Sequence, residues 1–229
     1  MPIKLELEMI KPVRSWLRAQ RMFVKSEFST PWGACDVVGC LLDPNRVRQR
    51  IELGQDHPIG RQFRVSLLLL IPDERARRSM TFDELLELVG PYLSGTMLRT
   101  ELDRLIARRF VRTTRRGSFR RSNGWIPMHE RLVAVELKLS RVAEVFAQAR
   151  ANLGFADESF VALPLVRARR LVSERRATAF HESGIGVLGV RRRGVELLLP
   201  ARRQRPAFRA AQVHAVERFW RSHLRGSLT

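Results

Sequence analysis

The sequence predicts an α/β protein in which sheet-forming segments at both ends of the chain flank a helical insert. The first segment has the pattern of one helix followed by two strands, and the middle of the chain has the pattern of successive helices. Later, residues 132–135 are continuously apolar, as in a strand that is covered on both faces. Because neither end supplies a complete sheet, we predict that residues 1–55 and 127–229 form one domain, into which residues 56–126 are inserted.

The first segment supplies a helix and two strands. Residues 5–20 have the periodicity of a helix with one apolar face. Residues 21–28 and 33–42 are typical of strands, with Ser-Thr-Pro-Trp at 29–32 as the turn between them. An Asp-Pro-Asn sequence ends the second strand, and residues 46–53 then either extend the sheet or form a loop.

The insert begins with three predicted helices, at residues 59–70, 81–89 and 94–109. Thr81 is the predicted N-cap of the second helix, and Glu84 lies three residues after Thr81. This pair is typical of a capping box. The two hydrogen bonds of a capping box satisfy backbone N–H groups at the start of a helix.

An arginine-rich β-hairpin with a glycine at its tip is predicted at residues 110–124. Three helices followed by a basic hairpin is the order of elements in a winged helix-turn-helix, whose third helix enters the major groove of DNA. A helical insert with a solvated charged edge and a protein-binding surface are the alternatives. The residues predicted to contact DNA are Arg99, Arg112, Arg115, Arg116, Arg120 and Arg121.

The second sheet-forming segment begins with the strand at residues 131–139. Ser140 is predicted to cap the helix that follows and ends near Asn152. The remaining predicted elements are a strand at 160–164, a basic helix at 166–180, strands at 184–190 and 195–199, and a closing helix at 206–224.

The charge of the chain points to a polyanionic partner. The formal net charge is +19, from 42 basic and 23 acidic side chains, and nucleic acid is the usual partner of so basic a protein. An arginine bias of the whole genome is the alternative. One arginine cluster either follows phosphates or forms a solvated helix face; it consists of Arg167, Arg169, Arg170, Arg175 and Arg176.

Nothing in the sequence predicts a membrane partner. The longest strongly apolar run, Val65 to Ile71, is far shorter than the roughly 20 residues that cross a bilayer. The first residues carry acids and no apolar signal core. We therefore expect a soluble, cytoplasmic protein of a prokaryote-like cell.

Polar residues within two apolar strands indicate a catalytic site. Strand alternation places Glu136 and Lys138 on the same face, and Asp36 lies in the other apolar strand. Burying such charges is costly unless they act together. If the two strands are neighbours, Asp36 and Glu136 converge on one divalent ion, and hard oxygen ligands suit Mg²⁺ or Mn²⁺. An ordinary Glu–Lys pair at a sheet edge is the alternative.

These segments carry a resemblance to a known family. The sequence Trp-Gly-Ala-Cys-Asp-Val-Val-Gly at 32–39, Ala-Val-Glu-Leu-Lys at 134–138, and the helix that contains Gln148 resemble the PD-(D/E)XK, or restriction-endonuclease-like, nucleases. The resemblance implies a mixed central sheet flanked by helices, with the winged-helix insert accounting for the long interval between the motifs. The chain departs from the family pattern at Cys35, where proline is usual, and at Asn152, where the RecB-like branch has tyrosine.

The resemblance also implies a role for each site residue. Asp36, Glu136 and the carbonyl group of Leu137 would hold Mg²⁺ or Mn²⁺, and Lys138 would orient or deprotonate the attacking water or stabilise the phosphorane charge. Gln148 matches a glutamine that several relatives have. A glutamate of the first helix is often a further ligand; Glu8 is the first candidate, with Glu6 and Glu27 as alternatives.

Two functions of different classes follow from these patterns. The first is a metal-dependent DNA endonuclease whose winged-helix insert binds DNA, expected to be double-stranded, and a homodimer is compatible with it. The second is a catalytically inactive DNA-binding or regulatory protein built on a nuclease-like scaffold. RNA binding is disfavoured because no strand shows aromatic residues for base stacking.

Overall fold

The computed structural model describes residues 3–174 and 177–226, with side chains of the last helix described up to residue 220. The chain divides into two compact units, one formed by Met1–Leu42 with His129–Thr229 and the other by Asp43–Met128. The insert therefore begins at residue 43 instead of residue 56. The reason is that residues 46–53, predicted as sheet or loop, belong to helix α2, with the Asp43 carboxylate capping its first turn.

The described elements follow the predicted order closely. The helices are α1 (Leu7–Ala19), α2 (Pro44–Glu52), α3 (Gln62–Leu70), α4 (Phe82–Val89), α5 (Gly95–Ala107), α6 (Val142–Asn152), α7 (Leu165–Ser173), α8 (Ala177–Ser183) and α9 (Arg209–Gly226). The strands are β1 (Phe23–Thr30), β2 (Gly33–Leu42), β3 (Val111–Thr113), β4 (Phe119–Arg121), β5 (His129–Leu137), β6 (Glu158–Pro164), β7 (Gly186–Arg191) and β8 (Gly194–Leu199).

A mixed six-stranded sheet in the order β1-β2-β5-β6-β7-β8 forms the centre of the larger unit. β5, β6 and β7 are parallel, whereas β1, β2 and β5 are antiparallel neighbours, as are β7 and β8. The expected α/β class with a mixed, helix-flanked sheet is confirmed. β2 and β5 are direct neighbours although the whole insert separates them in the chain, which places Asp36 beside the Glu136 strand.

Helices cover both faces of this sheet. On one face, Met9, Val13 and Leu17 of α1 pack against the odd-numbered β5 residues, such as Val133 and Val135. On the other face, α6 and α7 pack against alternate residues of β6 and β7, and the apolar residues of this layer include Val145, Ala149, Val161, Leu163 and Leu171. The even-numbered residues of β5 thus lie on the α6 side. Glu136 is one of them.

Two details of the second segment differ from the prediction. Ser140 does not cap α6: the helix begins at Val142, and Arg141 occupies the N-cap position without a side-chain hydrogen bond. The basic helix predicted at 166–180 is divided into α7 and α8. Arg175 and Arg176 of the arginine cluster lie outside the described residues.

The insert consists of α2 to α5 and a separate two-stranded sheet of β3 and β4. The capping box at α4 is confirmed, because the Thr81 hydroxyl accepts from the Glu84 backbone N–H while the Glu84 carboxylate accepts from that of Thr81. No described helix of the chain is long and apolar enough to cross a membrane.

Candidate active site

The site begins where β2 separates from β5. The pairing of the two strands ends at Val37 and Val135. Beyond it, the Leu137 backbone N–H donates to the Asp36 Oδ2 atom at 2.7 Å instead of to a backbone carbonyl of β2. On the other side of β2, Glu27 has a φ of 50°, in the left-handed region that non-glycine residues seldom adopt. This local break in both ladders turns the Asp36 carboxylate toward β5.

Glu136 forms the centre of the site. Its side chain is only 3% exposed, and its Oε1 atom accepts from the Asn152 amide Nδ2 at 2.6 Å. The carboxyl group of Asp36 lies close enough for its charge to act on Glu136. Burial raises the pKa of Glu136 to about 7, the hydrogen bond from Asn152 opposes this rise, and the negative charge of Asp36 adds to it. The two acids thus lie on paired strands and influence each other electrostatically.

Cys35 takes part in the same cluster. Its Sγ atom lies 3.5 Å from the Asn152 Nδ2 atom and 3.6 Å from the Val135 carbonyl oxygen. Burial, together with the charge of Glu136, raises the pKa of this thiol well above its ordinary value, so the residue stays neutral. Cys35 is buried, as a small core residue would be, but it also contacts the amide that holds Glu136.

Lys138 is held between two glutamates. Its Nζ atom lies 3.5 Å from the Glu144 carboxylate and 3.7 Å from that of Glu6, and the side chain is 13% exposed. Glu6 also accepts from the Leu139 backbone N–H at 3.2 Å. The ammonium group is thus positioned from α6 and from the residue that precedes α1.

The structure gives the three candidate glutamates different surroundings. Glu8 was the first candidate, but its carboxylate accepts from the Lys4 backbone N–H and lies 3.8 Å from an Arg192 nitrogen. Glu27 is exposed on β1. Glu6, two residues before Glu8 and at the N-cap of α1, is the one of the three that contacts Lys138. The first helical turn thus directs Glu6 and Glu8 to different partners.

One face of α6 is aligned with the end of β5. Glu144, Gln148 and Asn152 are spaced four residues apart and therefore share a helix face. Glu144 contacts Lys138 and Asn152 contacts Glu136, which places Gln148 between these two contacts. The Gln148 Oε1 atom is buried and has no hydrogen-bond partner among the described residues. A water, cation or substrate group would satisfy this acceptor.

Sequence reasoning identified Gln148 but missed Asn152 and Glu144. The signal for Asn152 was its position one helical turn after Gln148, on the helix face that packs against the sheet. In the family resemblance, Asn152 is only a departure from the usual pattern. Its contact with Glu136 is set by the packing of α6 on β5, which no local sequence pattern specifies.

The donor set fits a hard divalent cation. Leu137 directs its N–H toward Asp36, and because the N–H and C=O groups of one strand residue face the same neighbour, its carbonyl faces that side too. Asp36, Glu136 and this carbonyl would supply oxygen ligands. Within residues 3–174 and 177–226, no three His, Cys, Asp or Glu side chains form a metal-binding group. Oxygen-only donors of this kind suit Mg²⁺ or Mn²⁺, which keep several waters beside one or two carboxylates.

The predicted DNA-binding arginines of the insert divide into two groups. Arg112, Arg115 and Arg116 are exposed on the hairpin, and the exposed Arg99 guanidinium lies 4.2 Å from the centre of the Phe82 ring. The other two bind the insert itself. The Arg120 side chain donates to the Arg77 carbonyl at 3.1 Å.

Arg121 stabilises the insert and is not a free phosphate ligand. Its guanidinium donates to the carbonyl oxygens of Leu68 and Leu69, both at 3.2 Å, and to the Asn123 side chain at 3.1 Å. The two carbonyls belong to the last turn of α3, where no helical N–H groups are available to them. Arg121 therefore satisfies the end of a helix, a role that the count of arginines in the hairpin did not reveal.

Comparison with known proteins gives one structural likeness. No protein-family model and no curated protein matches the chain. A solved structure, the SPO1766 protein of unknown function from Silicibacter pomeroyi, is similar over 100% of this chain and 91% of its own, with 13% sequence identity and a TM-score of 0.45. A likeness at this level carries no argument about function.

Replacing Asn152 by alanine is expected to raise the pKa of Glu136 further, because the hydrogen bond from Asn152 lowers it. In a cation-binding site, the proton then competes with the metal at higher pH. We expect a tenfold to hundredfold weaker affinity for Mn²⁺, about the cost of losing a group that orients a metal ligand, and a midpoint of binding shifted to higher pH. Calorimetric Mn²⁺ titration from pH 6 to 9 measures both. An unchanged pH midpoint would contradict the assignment.

Proposed function

We propose that the chain is a metal-dependent DNA nuclease, with Asp36, Glu136 and Lys138 as its catalytic residues. The observation that carries the proposal is the proximity of two acids on paired strands, where the Asp36 carboxylate binds the Leu137 N–H, the charge of Asp36 acts on the buried Glu136, and a lysine directly follows β5. Two adjacent acids in a desolvated site repel each other when both are ionised. A divalent cation between them would remove this repulsion. Metal binding would therefore explain why two acids lie close together where their ionisation lowers stability.

The metal would be held by the Asp36 and Glu136 carboxylates and the Leu137 carbonyl. When bound, such an ion polarises the scissile phosphate and lowers the pKa of a bound water. The protein residues contribute position: Asn152 fixes one oxygen of Glu136, and the Leu137 N–H fixes one oxygen of Asp36. Each carboxylate keeps its other oxygen for the cation.

Lys138 supplies the positive charge next to this site. Its ammonium group has three donors, and its two glutamate contacts, at 3.5 and 3.7 Å, are longer than ordinary hydrogen bonds. Its N–H groups are thus available to orient an attacking water or to bind a phosphate oxygen. Glu6 and Glu144 keep the side chain at the end of β5 while it does so.

DNA is the proposed substrate because the chain has a large positive net charge and because the insert has the element order of a winged helix-turn-helix. The net charge of +19 favours a polyanion, and the succession of α3, α4, α5 and the basic hairpin supports a winged helix-turn-helix. In this assignment α5 is the recognition helix and the hairpin of β3 and β4 is the wing. Arg115 and Arg116, exposed at the wing tip, are its proposed phosphate contacts.

The proposal is tested by incubating the purified chain with supercoiled plasmid and with labelled oligonucleotide duplexes, in Mg²⁺, Mn²⁺ or EDTA. We expect cleavage in either metal and none in EDTA, with products that carry a 5′-phosphate. Cleavage in EDTA would contradict a metal-dependent mechanism. Tight binding without cleavage in any metal would favour the regulatory alternative.

The proposed role of the wing leads to a prediction about salt dependence. The double variant Arg115→Gln, Arg116→Gln is expected to bind duplex DNA more weakly, with a salt slope smaller by about 1.8, because each phosphate contact contributes roughly 0.9. The matched control is Arg18→Gln, Arg209→Gln, which removes two exposed arginines from the larger unit. Fluorescence anisotropy from 50 to 300 mM salt measures the slope. Equal slopes for the two variants would remove the wing tip from the DNA interface.

A further inference from the structure

A cleft opens at the carboxyl edge of the three parallel strands. It has a volume of about 980 Å³ and lies among Leu139 after β5, Leu165 after β6 and Val190 near the end of β7. In open α/β sheets, ligands bind in the crevice outside the carboxyl ends of the strands. The cleft also includes Ser140, two residues after Lys138. It therefore begins next to the candidate active site but is formed by other residues.

Arginines dominate the polar part of this cleft. Arg167 comes from α7, Arg191 is the last residue of β7, and Arg192 and Arg193 form the turn between β7 and β8. Arg191 contacts Glu196 at 2.8 Å, and a nitrogen of Arg192 lies 3.8 Å from Glu8.

The other two arginines are the more available ones. Arg167 and Arg193 have no ion pair or side-chain hydrogen bond within the described part of the chain, and no acidic residue is among those that line the cleft. Forked guanidinium groups bind phosphate through two parallel hydrogen bonds. The positive charge of the cleft thus favours an anion with several phosphate oxygens.

The floor of the cleft is apolar. Ile3, Leu139, Leu165 and Val190 line it, and Val166 at its edge is 82% exposed. A simple inorganic anion makes no use of such a surface. A nucleotide does, because its base and sugar pack against apolar side chains while its phosphate meets the guanidinium groups. The combination therefore fits nucleotide units better than isolated phosphate.

The size of the cleft distinguishes a single strand from a duplex. Clefts of about 300–1,000 Å³ enclose ligands of the size of one or a few nucleotides. A duplex is contacted instead by helices or ribbons that enter its grooves. A second hollow of about 520 Å³ shares Ser140, Val166 and Arg167 with the cleft and continues past Arg170. Together they extend the lining from Arg193 to Arg170, whose ion-pair partner there is Glu174 at 2.9 Å.

We propose that this arginine cleft binds a single-stranded segment of nucleic acid beside the candidate active site. The strand would place its phosphates on Arg167 and Arg193 and its bases against the apolar floor. That the bound strand is a substrate or product rests on the proposed nuclease function, whereas the binding itself does not. Such a cleft would give the protein a preference for unpaired ends, flaps or gaps, in addition to the duplex DNA that the insert is proposed to bind.

The test measures binding without cleavage. In EDTA, the full chain is titrated against a fluorescent twelve-nucleotide thymidine strand and against a blunt duplex of the same length. The variant is Arg167→Gln, Arg193→Gln, two exposed substitutions outside the carboxylate site, and the control is Arg18→Gln, Arg209→Gln. We expect the variant to lose single-strand affinity roughly tenfold or more, with a salt slope smaller by about 1.4, and to bind duplex like the control.

The outcomes separate the two proposals. An equal loss of affinity for strand and duplex, no loss for either, or an equal loss in the control variant would each overturn the cleft assignment. If the variant loses single-strand binding but the wild type cleaves nothing in Mg²⁺ or Mn²⁺, the cleft stands and the nuclease proposal fails. If the wild type cleaves and the variant binds single strands normally, the nuclease proposal stands and the cleft assignment fails.

Discussion

Replacing Glu136 by glutamine is expected to lower metal-dependent DNA cleavage at least about a thousandfold, as the loss of electrostatic stabilisation and of a metal ligand requires. Glutamine keeps the size of the side chain and an oxygen that accepts from Asn152. It removes the negative charge that a cation needs. Affinity for DNA in EDTA is expected to stay within about twofold, because the residue is buried. Initial rates on supercoiled plasmid and anisotropy on an oligonucleotide duplex measure the two quantities.

A matched control exists on the same strand. Glu130 of β5 is exposed, and Glu130→Gln removes the same charge without affecting the site. Its cleavage rate is expected to equal that of wild type. Lys138→Gln is expected to reduce the rate by two to three orders of magnitude, similar to the loss of one donor to a developing negative charge. Cleavage that survives both Glu136→Gln and Lys138→Gln would mean that another site cuts the DNA.

The same glutamine substitution is expected to stabilise the metal-free protein at high pH. The pKa of Glu136 is raised from 4.5 to about 7 in the folded chain, so the folded state holds a proton that the unfolded state has already released. The stability linked to this proton is fully present below pH 4.5 and is lost as pH rises through 7. With about 1.36 kcal/mol per pKa unit, the loss approaches about 3 kcal/mol at pH 8. Glutamine, which does not ionise, avoids it.

Urea unfolding in EDTA at pH 5 and pH 8 measures this difference. Wild type and Glu136→Gln are expected to have similar free energies of unfolding at pH 5, whereas the variant is more stable at pH 8. Added Mg²⁺ is expected to stabilise only the wild type, because the cation binds the ionised carboxylates. The exposed Glu130→Gln control retains Glu136 and is therefore expected to lose stability between pH 5 and pH 8, and to gain it with Mg²⁺, as wild type does. Equal differences at both pH values would show that Glu136 is not desolvated.

These two results are linked by one physical cause. An acid that lowers stability in the metal-free protein yet is required for cleavage has been placed for its chemistry and not for the fold. If Glu136 and Lys138 were an ordinary strand pair, the glutamine variant would lose a favourable interaction and become less stable at neutral pH. The sign of the stability change therefore separates the catalytic assignment from the structural alternative.

Local sequence patterns determined most of the fold. The apolar periodicity of α1, the capping box of α4 and the continuous apolar run in β5 each arise from residues close together in the chain, and each element was found within a few residues. Predictions failed where the local signal was ambiguous. Residues 46–53 carry several arginines and few apolar residues, so their helical nature depends on the cap at Asp43.

The sequence by itself determined that Asp36 and Glu136 lie on apolar strands, since apolar runs are local properties, whereas the strand predicted to include Lys138 ends one residue earlier, at Leu137. Only the tertiary structure decided what surrounds them. The contact of Asn152 with Glu136, the choice of Glu6 over Glu8 beside Lys138, and the use of Arg121 to satisfy the end of α3 are set by packing between distant elements. A helix face or strand direction is readable from spacing, but which partner it meets depends on sheet order and helix packing, and these are properties of the whole fold.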